Sequence, residues 1–185
     1  MNKLDDELFN FITQPSNWTI AREIYERVEY AKTRLLKEFK QDVVEKIKTS
    51  MNLQEYKIDT PDPGRIQIKH TSWNNLFSID YGNLHSKAYL GVWCDTQKEI
   101  ILKSYEHISN AMKAADKKLT GKDAQWYPAW YYTGDNFSQL STLDHILPEN
   151  KQYYIDKYVQ EIIDVKDTAK SIIENDDLIR QIVEK

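Results

Sequence analysis

Apolar residues recur at helical spacing towards both ends of the chain and at strand spacing through its middle. Over residues 17–50, Ala21, Ile24, Val28, Ala31 and Leu35 alternate three- and four-residue steps, and Phe39, Val43 and Ile47 continue at steps of four. Glu23, Arg27, Lys32, Arg34, Lys37 and Lys40 fill the opposite side. This period predicts one long amphipathic helix, about 50 Å long at ~1.5 Å per residue. A helix of that length outruns a small core and needs a partner along its side. Residues 149–183 supply it. Ile155, Tyr158, Ile162, Val165, Ala169, Ile172, Ile179 and Val183 repeat as a coiled-coil seam does, with Asp176 as the one polar break. Shorter helices are predicted over 3–13, with Leu4, Leu8, Phe9, Phe11 and Ile12 as the apolar face, and over about 96–119, with Ile100, Ile101, Tyr105, Ile108, Met112 and Ala115. Pro15 breaks the first pattern, and Ser16 or Asn17 is placed to cap the long helix. Asp95 or Thr96 is placed to cap the helix over 96–119, and Gly121 to end it. One helical turn fits within 137–147, before Pro148.

Between these helices the period changes. Short runs of β-branched and aromatic residues predict strands over 54–59, 65–71, 76–81 and 87–94. Pro61-Asp62-Pro63-Gly64 reads as a hairpin turn, and Tyr81-Gly82-Asn83 marks a second turn. A fifth strand over 128–132 fits the aromatic run there and adds to the meander after the crossover helix. The predicted architecture is a single α+β domain: an antiparallel sheet of four or five strands flanked by helices, with two long helices forming an arm or bundle.

Composition narrows the function classes. The chain has 185 residues, long enough for one domain with a substantial core. Its net charge is −4, against the basic footprint that phosphate binding needs. Cys94 is the only cysteine, so no internal disulfide forms. No apolar run approaches a membrane span of ~18 residues, and the acidic N-terminus lacks a signal-peptide pattern. A cytoplasmic protein is expected.

Catalytic and metal chemistry find little support. His70, His85, His107 and His145 are scattered, without the close ligand spacing of a zinc site. Asp144-His145 has no serine or cysteine elbow beside it. Cys94, at a strand end, reads as a small core residue. Pro61-Asp62 with Gln67-Ile68-Lys69 echoes the metal-dependent nuclease pattern in compressed form. Gln67 replaces the second carboxylate, however, and both halves fall on one hairpin. No catalytic residue, metal ligand or cofactor is assigned. A diverged nuclease would have to draw on Asp59, Asp62, Asp80 and Asp95, the acids near strand ends. Lys113, Lys117, Lys118 and Lys122 read as a solvated helix end.

The densest signal is Trp126-Tyr127-Pro128-Ala129-Trp130-Tyr131-Tyr132, with five large aromatics in seven positions. A strand has two faces. The expected arrangement packs Trp126 and Trp130 on the sheet with Trp73, Trp93 and Phe77, while Tyr127, Tyr131 and Tyr132 face outward. The reverse assignment stays open. Trp126, Tyr127, Trp130, Tyr131 and Tyr132 are the candidate binding residues, because Tyr and Trp offer large contact area at small entropic cost.

The order of a long helix, a meander ending in Tyr89-Leu90-Gly91-Val92, a helix, the aromatic block, Asn136-Phe137-Ser138 and a long final helix resembles the C-terminal region of some bacterial and phage proteins of the PD-(D/E)XK nuclease superfamily. The resemblance runs from about residue 16 onward and does not include the nuclease core. It implies a stand-alone accessory module. The expected function is non-enzymatic: a protein-binding or regulatory module of a nucleic-acid-processing or defence system, with a phage-encoded inhibitor of a host defence nuclease as one form. A diverged metal-dependent nuclease and a nucleic-acid-binding module are the alternatives. A protein partner is expected, and the long helices offer a route to homo-oligomers.

Overall fold

Five antiparallel strands form a sheet in the order β1–β2–β3–β4–β5: β1 Tyr56–Asp59, β2 Ile66–His70, β3 Phe77–Gly82, β4 Lys87–Cys94 and β5 Ala129–Asn136. The structure, a computed structural model of the chain, describes residues 3–120 and 126–184. The chain turns from β1 to β2 at Pro61-Asp62-Pro63-Gly64, where Asp62 Oδ1 accepts a 2.8 Å hydrogen bond from the Gly64 N–H. It turns from β3 to β4 at Asn83, whose left-handed φ of 59° suits asparagine. The architecture is the α+β arrangement that the pattern predicts, with β5 joining as the fifth strand.

Registers set the two faces of the sheet. Ile66 pairs with Tyr81, Ile68 with Ile79, Ile79 with Val92 and Tyr81 with Leu90. Side chains alternate along a strand, so these residues share one face. The helices pack there. Helix α5 (Lys151–Asn175) lies across β3 and β4, and α3 (Glu99–Ala115) lies beside β5. Tyr158 of α5 sits 5.1 Å from the Tyr81 ring, and Ser109 of α3 donates a 2.6 Å hydrogen bond to the Pro128 carbonyl. The C-terminal half of α2 (Pro15–Ser50) packs against α5, with buried Leu36, Phe39, Val43, Val44 and Ile47. Phe39 meets Tyr158 and Phe137 edge-on or tilted. Ion pairs Lys151–Asp42 and Lys46–Asp156 fasten the same two helices at their surface. Losing the Phe39 ring would cost about 3–5 kcal/mol, the usual price of an aromatic core deletion.

Several predicted boundaries move. The long helix begins at Pro15, with Gln14 at its N-cap, so Pro15 starts the helix where it was expected only to interrupt one. Proline fits there because the first helical N–H has no partner anyway. Ser16 and Asn17 therefore lie inside the helix. Helix α3 begins at Glu99 with Lys98 at the cap, past Asp95 and Thr96, and ends before Asp116. Gly121 lies outside the described residues. The final helix is two helices. Asp176 ends α5, and its side chain accepts the N–H groups of Leu178 and Ile179 to start α6 (Asp177–Val183). A polar residue in the seam broke the helix because its carboxylate satisfies the new helix's free donors. The turn within 137–147 is α4 (Leu140–Leu143) followed by a 3-10 turn.

One part of the molecule stands apart from the core. Helix α1 (Lys3–Ile12) packs on α2, and its Leu8 and Phe11 share a groove with Ile20, Ile24 and Val28 of α2 and Leu140 of α4. Most of their large hydrophobic side chains from Leu8 to Tyr30 are exposed.

Candidate functional site

Among the described residues, no helix packs on the second face of the sheet. Gln67 opposite Asp80, Ser78 opposite Trp93, Gly82 opposite Tyr89 and Gly91 opposite Trp130 all point to it. Tyr132 pairs with Tyr89 and belongs to the same face.

At its centre is a buried carboxylate. Asp80 is fully buried on β3. Arg65 reaches it from the entry to β2, donating Nε to Oδ2 at 2.8 Å and placing Nη2 on the same oxygen. Tyr127 donates its hydroxyl to Oδ2 at 2.9 Å. Ser78 Oγ and Gln67 Nε2 donate to Oδ1 at 2.9 and 3.1 Å. A charge buried this deeply persists only when paired and hydrogen-bonded, and here both oxygens are occupied. Burial is the largest single influence on Arg65 and works against its charge, but the Asp80 carboxylate with Tyr127 and Tyr89 together outweigh it and hold the guanidinium above its ordinary pKa. Burial, then the Asp80 charge, pushes the Tyr127 hydroxyl upward, so it remains a donor. Tyr89 is raised as well, chiefly by burial, and its hydroxyl lies 2.8 Å from that of Tyr127.

An aromatic layer surrounds this network. The Trp93 and Trp126 rings lie parallel within 7°, with centroids 6.4 Å apart. Tyr89 meets Tyr127 and Trp130 edge-on, and Trp130 meets Tyr132 edge-on at 4.9 Å. Lys87 Nζ sits 4.2 Å from the Tyr132 ring centroid. Two glycines permit this layer. A Cβ on Gly91 would fall 2.4 Å from Trp130 Cβ and 2.7 Å from the Ala129 carbonyl, and one on Gly82 would meet the Tyr89 ring at 2.5 Å. The rings lie down over the bare backbone of the neighbouring strand.

Three of the expected orientations are reversed, those of Trp126, Trp130 and Tyr131, while Tyr127 and Tyr132 lie on the open face as expected. Trp126 and Trp130 lie on the open face with Trp93, whereas Trp73 and Phe77 are buried on the other side. Tyr131, expected to point outward, pairs with Leu90 and so faces the helices, where its hydroxyl reaches Glu161 of α5 at 3.5 Å. The reason is register: Ala129 opposite the core residue Val92 sets the parity of every later residue until the strand bulges. Of the five candidates, the structure groups Trp126, Tyr127, Trp130 and Tyr132. It adds Arg65, Ser78 and Tyr89, to which sequence reasoning gave no site role, and Gln67, Asp80 and Trp93, which it named only in other roles. The signal was present in β3, where Ser78 and Asp80 alternate with Phe77, Ile79 and Tyr81.

A second buried carboxylate lies on the helical side. Between Tyr89 and Lys87 the β4–β5 register shifts, and β5 bulges at Gly134, whose φ is +92°. The bulge turns Asp135 inward. It accepts from the Tyr158 hydroxyl, from His145 Nδ1 at 2.9 Å and from Lys157 Nζ at 3.3 Å. His145 stacks on Tyr154 at 4.2 Å. The sequence neighbour Asp144 is thus not the partner of His145.

The remaining candidates do not converge. Asp59 pairs with Lys57 and Lys69, Asp62 holds the hairpin turn, and Asp95 accepts from the Gln97 N–H. Among the described residues, no three His, Cys, Asp or Glu side chains are placed to share a metal ion. Cys94 is fully buried, and burial pushes its thiol up to about 12, far from a thiolate at neutral pH. No described helix is long and apolar enough to cross a membrane.

The fold and this face define an α+β protein with helices on one side of an antiparallel sheet and an aromatic, polar-anchored surface on the other. Comparison with protein-family models, curated proteins and solved structures gives no match.

Proposed function

We propose that this chain is a non-enzymatic protein-binding module whose recognition surface is the open face of the sheet. One observation carries the reading: a stacked Trp93–Trp126 pair and an edge-on run of Tyr127, Tyr89, Trp130 and Tyr132 lie beside the Arg65–Asp80–Tyr127 network on a face that, among the described residues, carries no helix. Trp, Tyr and Arg dominate the energetic centres of protein interfaces. The rings are held by edge-to-face contacts and by the strand beneath, so little freedom is lost when a partner docks. Tyr132, at 47% exposure, is the most accessible of them. A regulatory role in a nucleic-acid-processing or defence system, including inhibition of a host nuclease by a phage product, is the setting that the sequence resemblance suggests.

Affinity capture from the native host, read by mass spectrometry, tests the surface. Wild-type protein should retain a defined partner, and Trp130→Ala with Tyr132→Ala should lose it while keeping the wild-type circular dichroism spectrum. Equal capture by wild type and the double variant sinks the proposal. Salt-dependent binding of single-stranded DNA or RNA at this face would move it to the nucleic-acid-binding class.

A further inference from the structure

A cleft of about 700 Å³ opens where α2 passes the turn between β1 and β2. Sites for small molecules commonly measure about 300–1,000 Å³ and join apolar walls to a few polar groups. This cleft has both. Val44, Pro61 and Pro63 supply apolar surface, and Lys37, Lys40 and His85 supply nitrogen donors. It shares no lining residue with the open face of the sheet, so what it binds does not depend on the proposed function.

Two elements bring these groups together. Lys37, Lys40 and Val44 follow at three- and four-residue steps on α2, so they share one side of that helix. The opposite wall is the Pro61-Asp62-Pro63-Gly64 turn, whose prolines restrict its backbone. The turn is tied at two points. Lys40 Nζ donates to the Asp62 carbonyl, and the Leu84 N–H donates to the Gly64 carbonyl at 3.1 Å. His85 follows Leu84, and its ring lies against the turn: a Cβ on Gly64 would fall 2.9 Å from His85 Cδ2. A cleft held open in this way loses little freedom when it is filled.

Charge selects the ligand. Lys40 is half-buried, and burial, opposed by the Asp62 charge, holds its ammonium below the ordinary lysine pKa. Its hydrogen-bond acceptor is a neutral carbonyl. Among the described residues, Lys37 and His85 have no hydrogen bond or ion pair. Asp62 is the one carboxylate in the lining, and its Oδ1 is engaged by the Gly64 N–H. Lys37 and Lys40 against Asp62 leave a net of +1. Ammonium groups that lack a carboxylate partner bind phosphate through short, charge-assisted hydrogen bonds. We infer that the cleft binds a small organic phosphate, with the phosphate on Lys37, Lys40 and His85 and an apolar body over Val44, Pro61 and Pro63.

Titration calorimetry and amide NMR on the full chain test it, with phenyl phosphate and adenosine monophosphate as probes. Both saturate the protein with a Kd of about 1 mM or tighter, and the amides that shift are those of 33–44, 60–64 and His85. Lys40→Met and Lys37→Gln each weaken both probes by about tenfold or more, the loss that follows removal of a hydrogen bond to a charged group. Lys37 is exposed, so its variant keeps the wild-type unfolding midpoint and carries the test even if Lys40→Met loosens the turn. Inorganic phosphate and benzoate bind about tenfold more weakly than phenyl phosphate, because one lacks the apolar body and the other the second negative charge. No saturation by either probe at about 10 mM, shifts confined to other residues, or full affinity in Lys37→Gln overturns the inference. Inorganic phosphate or benzoate binding as tightly as phenyl phosphate overturns it too.

Discussion

Asp80 shows how one side chain organises a surface. It is fully buried on a strand whose neighbours are apolar, and it receives donors from Arg65, Gln67, Ser78 and Tyr127. Removing one member of a buried charge pair leaves the other unpaired, which costs more than the pair contributes. Asp80→Ala should therefore destabilise the protein by on the order of 3 kcal/mol, measured by urea unfolding. Replacing both partners, Arg65→Met with Asp80→Leu, should recover most of that loss. A single-variant loss below about 1 kcal/mol, the level of an ordinary hydrogen bond, would show that the network is dispensable. The alternation in β3 sets Asp80 apart from the core face, but does not show its burial. Its partners were not legible, because Arg65, Gln67 and Tyr127 arrive from other strands, and Tyr127 lies 47 residues away.

At the scale of elements, the β1–β2 hairpin carries a titrating group. His70 ends β2, and its Nδ1 accepts the Ser72 N–H that opens the following 3-10 turn. Its ring packs on Tyr56 and Trp73. Burial, and then the Lys170 charge, hold its pKa below the ordinary histidine value, although Glu55 lies 3.6 Å from Nε2 and pulls the other way. Burial wins because the ring is 8% exposed and no hydrogen-bond partner reaches Nε2. With the folded value depressed, the unfolded chain takes up the proton first. The stabilising contribution is complete above the unfolded pKa of about 6.5 and is lost as pH falls towards the folded value. Stability measured by denaturant between neutral and mildly acidic pH should decline, and His70→Gln should flatten part of that slope. An unchanged slope in the variant would remove His70 from the account. Element identity itself was readable from period and propensity: every predicted strand and long helix is present. Boundaries shifted where a local competitor decided them, as Pro15 did at the start of α2 and Asp176 at the end of α5.

At the scale of the whole molecule, two surfaces face different ways. The aromatic layer occupies the bare side of the sheet, and the C-terminal half of α2 packs with α5 on the other. They should act independently. Ile24→Glu protein should capture the same partner as wild type. Loss of capture in Ile24→Glu would mean that the partner binds the exposed face of α1 and α2 itself.

The amino-acid pattern alone determined the helices, the meander, the α+β class and the aromatic block as a feature to be explained. These are consequences of local periodicity, and local periodicity survives without knowledge of the fold. Only the tertiary structure decided which side of β5 is outside. A shift of one residue in the pairing with β4 exchanges Trp130 and Tyr131, and sequence offers both choices at equal local cost. It also decided that Asp135, rather than Asp144, holds His145, because a bulge at Gly134 turns that carboxylate inward. Most of all, it decided how far α5 reaches along α2. Two matching stripes predict a pair, but the distance over which they overlap depends on how the sheet between them is crossed. The uncovered remainder of that stripe is what leaves Ile20, Ile24 and Val28 exposed.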